Sequence, residues 1–178
     1  MRFRVLVAAG VVGALVLAVA LALFEPWRVF TSSEVDEAPP VSGPTVAPGP
    51  ETPSATTESS PSSPAPQDRV LTEGAFEDAE HGTSGRATVL ELADGRRFVR
   101  LEGLATSDGP DLHVWLTDQP SGGDWGSYDD GRYVRLGELK ATHGNQNYEV
   151  PADAELAGLT SVVIWCDRFN VAFGTAPI

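Results

Sequence analysis

Two stretches between Arg86 and Glu102 alternate apolar with polar residues and are separated by Asp94-Gly95. Alternation of period two marks half-buried strands, and Asp-Gly is a favoured dipeptide for a two-residue hairpin turn. Such a turn pairs Leu92 with Arg97, Leu90 with Val99 and Thr88 with Leu101 on one largely apolar face. Glu91–Phe98 and Val89–Arg100 then make the other, more polar face, so turn chemistry and hydrophobic pattern agree. The pattern continues downstream. Leu112, Val114 and Leu116 alternate with His113 and Trp115, and Tyr133–Leu136 and Asn147–Val150 are shorter strands. Leu159–Cys166 is apolar on both faces, as a central strand is, and Phe169, Val171 and Phe173 alternate as a closing strand. Asp118–Gly131 is rich in turn residues, and Asp153–Gly158 holds at most one helical turn. The fold class expected is all-β, a β-sandwich or partly closed barrel.

Two different segments precede this domain. Arg2 and Arg4 lead an uninterrupted apolar run, Val5–Phe24, about the length a helix needs to span a bilayer. Glu25, Pro26, Trp27 and Arg28 end it, with Trp27 of the type found at the membrane–water interface. The positive charge comes first, which predicts a cytoplasmic N-terminus and an exported remainder. A cleaved signal peptide is the competing reading. Its apolar region spans only about 7–15 residues, and the candidate cleavage tripeptide Ala20-Leu21-Ala22 lies inside the run. An uncleaved anchor fits better, and no cysteine follows the run to carry a lipid. Residues 31–68 are then dominated by Pro, Ser, Thr and Ala, a composition that cannot bury enough surface to offset ordering. The expected organisation is a transmembrane signal-anchor over residues 1–30, a disordered linker over 31–68 and a β domain over 69–178. This places a single-pass protein in the cell membrane with its C-terminal domain extracytoplasmic. The net charge of -13 excludes a nucleic-acid partner, which needs a basic surface.

The chemical inventory is short. Cys166 is the only cysteine, so neither an internal disulfide nor a C-x-x-C redox pair is available. His81, His113 and His143 are the only histidines. Two of them with the thiolate would suit copper, but no histidine follows Cys166, and Met1 leaves the domain without a methionine axial ligand for copper or haem. Ligand spacing thus supports neither cofactor and predicts no metal site. Asp108, Asp111, Asp129 and Asp130 lack calcium-loop spacing and read as turn residues. Ser107, Ser121, Ser127 and Ser161 sit in no nucleophile elbow, so a hydrolase is disfavoured.

Several segments resemble one family. They are Gly109-Pro110-Asp111-Leu112-His113-Val114, Leu136-Gly137-Glu138-Leu139-Lys140, Gly144-Asn145-Gln146-Asn147-Tyr148, Val162-Val163-Ile164-Trp165-Cys166, Phe169-Asn170-Val171 and Phe173-Gly174. In order and spacing they resemble the DM13 family, from about Val70 to Ile178. The resemblance implies a β-rich extracytoplasmic module acting in electron transfer, with Cys166 at the family's hallmark cysteine. In animals such domains occur beside DOMON and cytochrome b561 domains, neither of which is present here. Any haem would therefore come from a membrane or extracytoplasmic redox partner. The residues alone leave Cys166 open between an inert buried thiol and a working one; a working thiol is expected to be exposed with a lowered pKa. Asn145 and Asn147 suit a tight loop, Gly109-Pro110 a turn before a strand, with Asp111 as its cap. The alternative is a non-redox adhesion module using Trp115, Trp125, Tyr128 and Tyr133 against glycan or protein. Either way the chain reads as a non-catalytic redox or binding module more than as an enzyme.

Overall fold

The computed structural model describes residues 11–19, 21, 32–43, 67–79 and 82–178. Ten strands form two five-stranded sheets. The first has the order β1 (Glu34–Asp36), β8 (His143–Val150), β5 (Arg97–Ala105), β4 (Ser84–Glu91) and β2 (Arg69–Ala75). The second has β3 (Glu77–Asp78), β10 (Val171–Pro177), β9 (Ser161–Cys166), β6 (Leu112–Thr117) and β7 (Tyr133–Glu138). All pairings are antiparallel except β1 with β8. The sheets meet over one core. Ala87, Val89, Val99, Leu101, Tyr148 and Val150 of the first face Leu112, Val114, Leu116, Val162, Ile164 and Phe173 of the second. A β-sandwich results, as the alternation requires.

The hairpin register differs from expectation by one residue. Glu91 pairs with Arg97, Val89 with Val99 and Ala87 with Leu101. The amide of Gly95 donates to Leu92 O at 2.9 Å and that of Leu92 to Arg96 O at 2.8 Å, closing a three-residue loop with Gly95 at φ 87°. A turn followed by a left-handed glycine is the alternative way Asp-Gly closes a hairpin. The shift exchanges the faces of β4 alone: Ala87 and Val89 enter the core beside Val99 and Leu101, while Thr88 and Leu90 join Phe98 and Arg100 on the outer side.

β9 is buried along its whole length. Val162, Ile164 and Cys166 point into the sandwich core, while Val163 and Trp165 pack outside it with Trp115, Tyr128 and Ala172. The Asp118–Gly131 loop supplies this outer cover: Tyr128 is buried, Thr117 Oγ1 donates to its carbonyl, and its hydroxyl accepts from the Gly123 amide.

The expected linker begins with structure. Residues 32–43 dock on the domain, β1 adding to the edge of β8 with Val35 beside Gly144. A Cβ at Gly144 (φ 100°) would collide with Val35 O. Lys140 donates to Glu37 at 2.7 and 2.9 Å, the Asn147 amide donates to Glu37 Oε2, and Arg100 donates to Glu37 O. Asn145 and Asn147 donate to Asp36 and to Ala38 O. They are strand residues rather than loop residues, and alternation sends them outward to the strap while Gln146 and Tyr148 turn inward. The holding bonds use main chain and polar side chains, which hydropathy does not read. The remainder of the linker, 44–66, lies outside the described residues. So does most of the apolar run Val5–Phe24; residues 11–19 and 21 are helical, and no helix among the described residues is long and apolar enough to cross a membrane.

Two measurements check this architecture. Gly95→Val meets open space but must hold a positive φ; it should lower stability by about 1–2 kcal/mol in denaturant melts, and an unchanged midpoint would contradict the turn. For Glu37, burial alone would raise the carboxyl pKa, but Lys140, the Asn147 amide and Arg100 outweigh it and hold it below its ordinary value. A depressed pKa means the strap's stabilisation is complete above the unfolded value and is lost as pH falls through the folded one. The Asn147 amide resonance should therefore titrate below the ordinary glutamate value, and lose that titration in Glu37→Gln. Titration at the ordinary glutamate value would contradict the latch.

Candidate functional site

One end of the sandwich gathers the chemically active side chains. Gly109-Pro110 turns the chain into β6, and β9 ends at Cys166 before residues 167–170 reverse into β10. The Asp167 amide donates to Asp111 O at 3.0 Å and the Asn170 amide to Cys166 O at 2.9 Å. Asn170 closes the reversal at φ 55°, a conformation asparagine tolerates better than most residues. These bonds fix the start of β6 against the end of β9.

Alternation then separates two environments. On the inner face Leu112 pairs with Cys166, and both belong to the core. Cys166 is free and 0% exposed. Burial pushes its thiol pKa up, against the opposing pull of the backbone amides of Phe169, Arg168 and Asp111 directed at the sulfur. The exposure and lowered pKa expected of a working thiol are both reversed. The reason is the strand: at the last position of β9 the thiol faces the inner core, and the hydration lost there outweighs the three amide dipoles.

On the outer face His113 Nε2 lies 3.0 Å from Asp111 Oδ1 and 3.5 Å from Asp167 Oδ2. Arg135 donates to both Asp167 oxygens, at 2.9 and 3.3 Å, and its guanidinium lies 4.8 Å from the centre of the Trp115 ring. Trp115 stacks between Tyr133 (4.5 Å) and Trp165 (4.9 Å). Its Nε1 is buried without a hydrogen-bond partner among the described residues. A continuous aromatic column thus runs from half-exposed Tyr133 through buried Trp115 to Trp165, the chain neighbour of Cys166.

Asp111, His113 and Asp167 each offer a ligand atom within 4.8 Å of the others. Two carboxylates and an imidazole suit a divalent cation in kind, but Arg135 already neutralises Asp167 and the imidazole already engages both carboxylates. Asp111 and His113 are near neighbours in the sequence, but Asp167 is far from both and is joined to them only by the antiparallel pairing of β6 with β9. Cys166 is not part of this group and faces the opposite side of the sheet. His143 is at the start of β8 with Nδ1 2.9 Å from Thr142 Oγ1, and His81 lies outside the described residues. The described residues therefore do not assemble two histidines around the thiol for copper. The Ser127 and Ser161 hydroxyls donate to main-chain carbonyls and that of Ser121 bonds Thr175 Oγ1; none of these three meets a histidine.

The buried thiol makes a direct prediction. Cys166 should alkylate only slowly in native buffer, with an inflection above the ordinary thiol value of about 8.5, and rapidly in denaturant. Fast native reaction with a low inflection would contradict the burial.

No curated protein and no solved structure gives a match to the chain. The family described as Electron transfer DM13 matches residues 75–178, more than half of the chain. The match holds β3 to β10, the aromatic column, the Asp111–His113–Asp167 cluster and Cys166; it leaves out the strap. A redox-type role accords with that description, and the chain belongs to the DM13 family.

Proposed function

We propose that this protein is an extracytoplasmic electron-transfer module, tethered to the cell membrane by its N-terminal apolar run, with Cys166 as its redox group. The observation that carries the reading is the aromatic column ending one residue from the buried thiol. Thiol–disulfide exchange needs a thiolate open to in-line attack, and Cys166 offers neither charge nor access. Electron transfer needs no contact at sulfur. Indole and phenol rings in van der Waals contact provide stepping stones between the surface and the core. The tether is supported by the N-terminal helix, whose Val11, Val12, Leu15, Val16 and Leu17 are all more than half exposed and find no cover on the domain. Its partners in this reading are redox proteins of the membrane or the extracytoplasmic space.

The adhesion reading keeps one supporting observation, Trp125, which is 46% exposed on the Asp118–Gly131 loop. Of its other aromatic residues Trp115 and Tyr128 are each 1% exposed and cannot contact a partner, so only Tyr133 remains beside Trp125.

Pulse radiolysis separates the two. An azidyl radical takes one electron from an indole ring and becomes azide, and the indole loses a proton to leave a neutral indolyl radical. If the column serves Cys166, that radical takes an electron and a proton from the thiol, restoring the indole and leaving a thiyl radical. Indolyl absorbance should decay at least several-fold faster in the wild-type protein than in Cys166→Ala. Equal decay in both would contradict the proposal and favour adhesion.

A further inference from the structure

The docked strap decides which end of the sandwich the N-terminal tether reaches. Ser33 is its first anchored residue: Thr142 Oγ1 donates to Ser33 O at 3.0 Å, as does the His143 amide at 2.9 Å. Ser33 shares a cavity of about 190 Å³ with Asp108, Gly109, Pro110, Asp111 and Leu112. The chain therefore arrives at the end that carries the Asp111–His113–Asp167 cluster and the last residue of β9. It then follows the first part of β8, as far as Asn147, and crosses the outer face of the first sheet over Arg100. Arg96 donates to Val41 O at 3.1 Å, and Ser42 bonds Asp68 beside the Ala93 amide. Both contacts are at the opposite end, at the Asp94-Gly95 hairpin. Residue 68 starts the domain there as well. A free linker over 31–68 would suspend the domain from its hairpin end; docking reverses the attachment.

The geometry points to a membrane-facing surface formed by the end of the sandwich that bears Asp111, His113 and Asp167. This deepens the proposed function and rests on its tether reading. From the end of the apolar run to Ser33 there are eight residues, Glu25–Ser32, and whatever their arrangement they reach at most about 30 Å. A linker continuing to residue 68 would reach about 150 Å and present no preferred face. The cluster and the nearby thiol are thus held close to the bilayer, and the partner this surface fits is a redox group carried in the same membrane rather than one diffusing freely outside. The hairpin end, about 25 Å away along β8, faces outward.

The orientation can be read in the full chain reconstituted into phosphatidylcholine/phosphatidylglycerol vesicles that carry an acceptor dye on a headgroup lipid. In a Cys166→Ala background, Phe169→Cys places a donor dye at the cluster end and Ala152→Cys at the hairpin end, both at exposed positions. The expected result is co-flotation of protein with vesicles and energy transfer at least twofold stronger from position 169 than from position 152. Adding Glu37→Ala and Gly144→Ala, which release the strap, should abolish the difference while co-flotation persists. Equal or reversed transfer in a co-floating protein with an intact strap would overturn the orientation alone. Failure to co-float would overturn the tether, and the orientation with it.

Discussion

The burial of β9 on both faces is the constraint on which the rest of the molecule depends. A strand inside a sandwich usually buries one face and solvates the other. Ser161–Cys166 has no solvated face, so the chain must provide two covers. The first sheet supplies one through Val89, Val99, Leu101 and Tyr148. The Asp118–Gly131 loop and the flanking strands supply the other through Tyr128, Trp115 and Ala172. The aromatic column exists because the outer cover is built of large rings, and Cys166 is inaccessible because the inner cover is complete.

Placing the cysteine at the last position of that strand has two effects on its chemistry. The core desolvates the thiol and keeps it protonated, while the reversal at residues 167–170 and the Asp111 amide direct N–H groups at the sulfur. Such a group is poor as a nucleophile, yet it is shielded from indiscriminate oxidation in an exposed domain. Asp167, one residue on, belongs to the outer face and joins His113 and Arg135. A single β-strand step thus separates an apolar thiol environment from a charged cluster.

Much of this was legible in the sequence, and the failures have physical causes. β6 and β9 follow the apolar pattern closely because a sandwich core reads as alternation or as an unbroken run, whereas β10 begins only at Val171 and leaves Phe169 exposed in the reversal. The hairpin register was missed because Asp-Gly suits both two- and three-residue loops, and both strand faces carry apolar residues, so hydrophobicity could not arbitrate. The strap was missed because Ser33–Glu37 docks through Lys140, Asn145, Asn147 and main-chain groups, with only Val35 to register in a hydropathy scan. Cys166 was identified by position in a motif, but its burial depended on the inner cover that the first sheet supplies. The Asp111–His113–Asp167 cluster joins residues more than fifty apart, a proximity only the antiparallel pairing of β6 with β9 creates.

If Cys166 is the redox group of a buried electron-transfer module, the current it carries must vanish with the thiol. Protein-film voltammetry of the full chain, alongside Cys166→Ala with the same circular dichroism and melting midpoint, measures this directly. The result expected is an oxidation wave in the wild-type protein that is absent from the variant. The same wave in both proteins, or none in either, would contradict a redox role for Cys166.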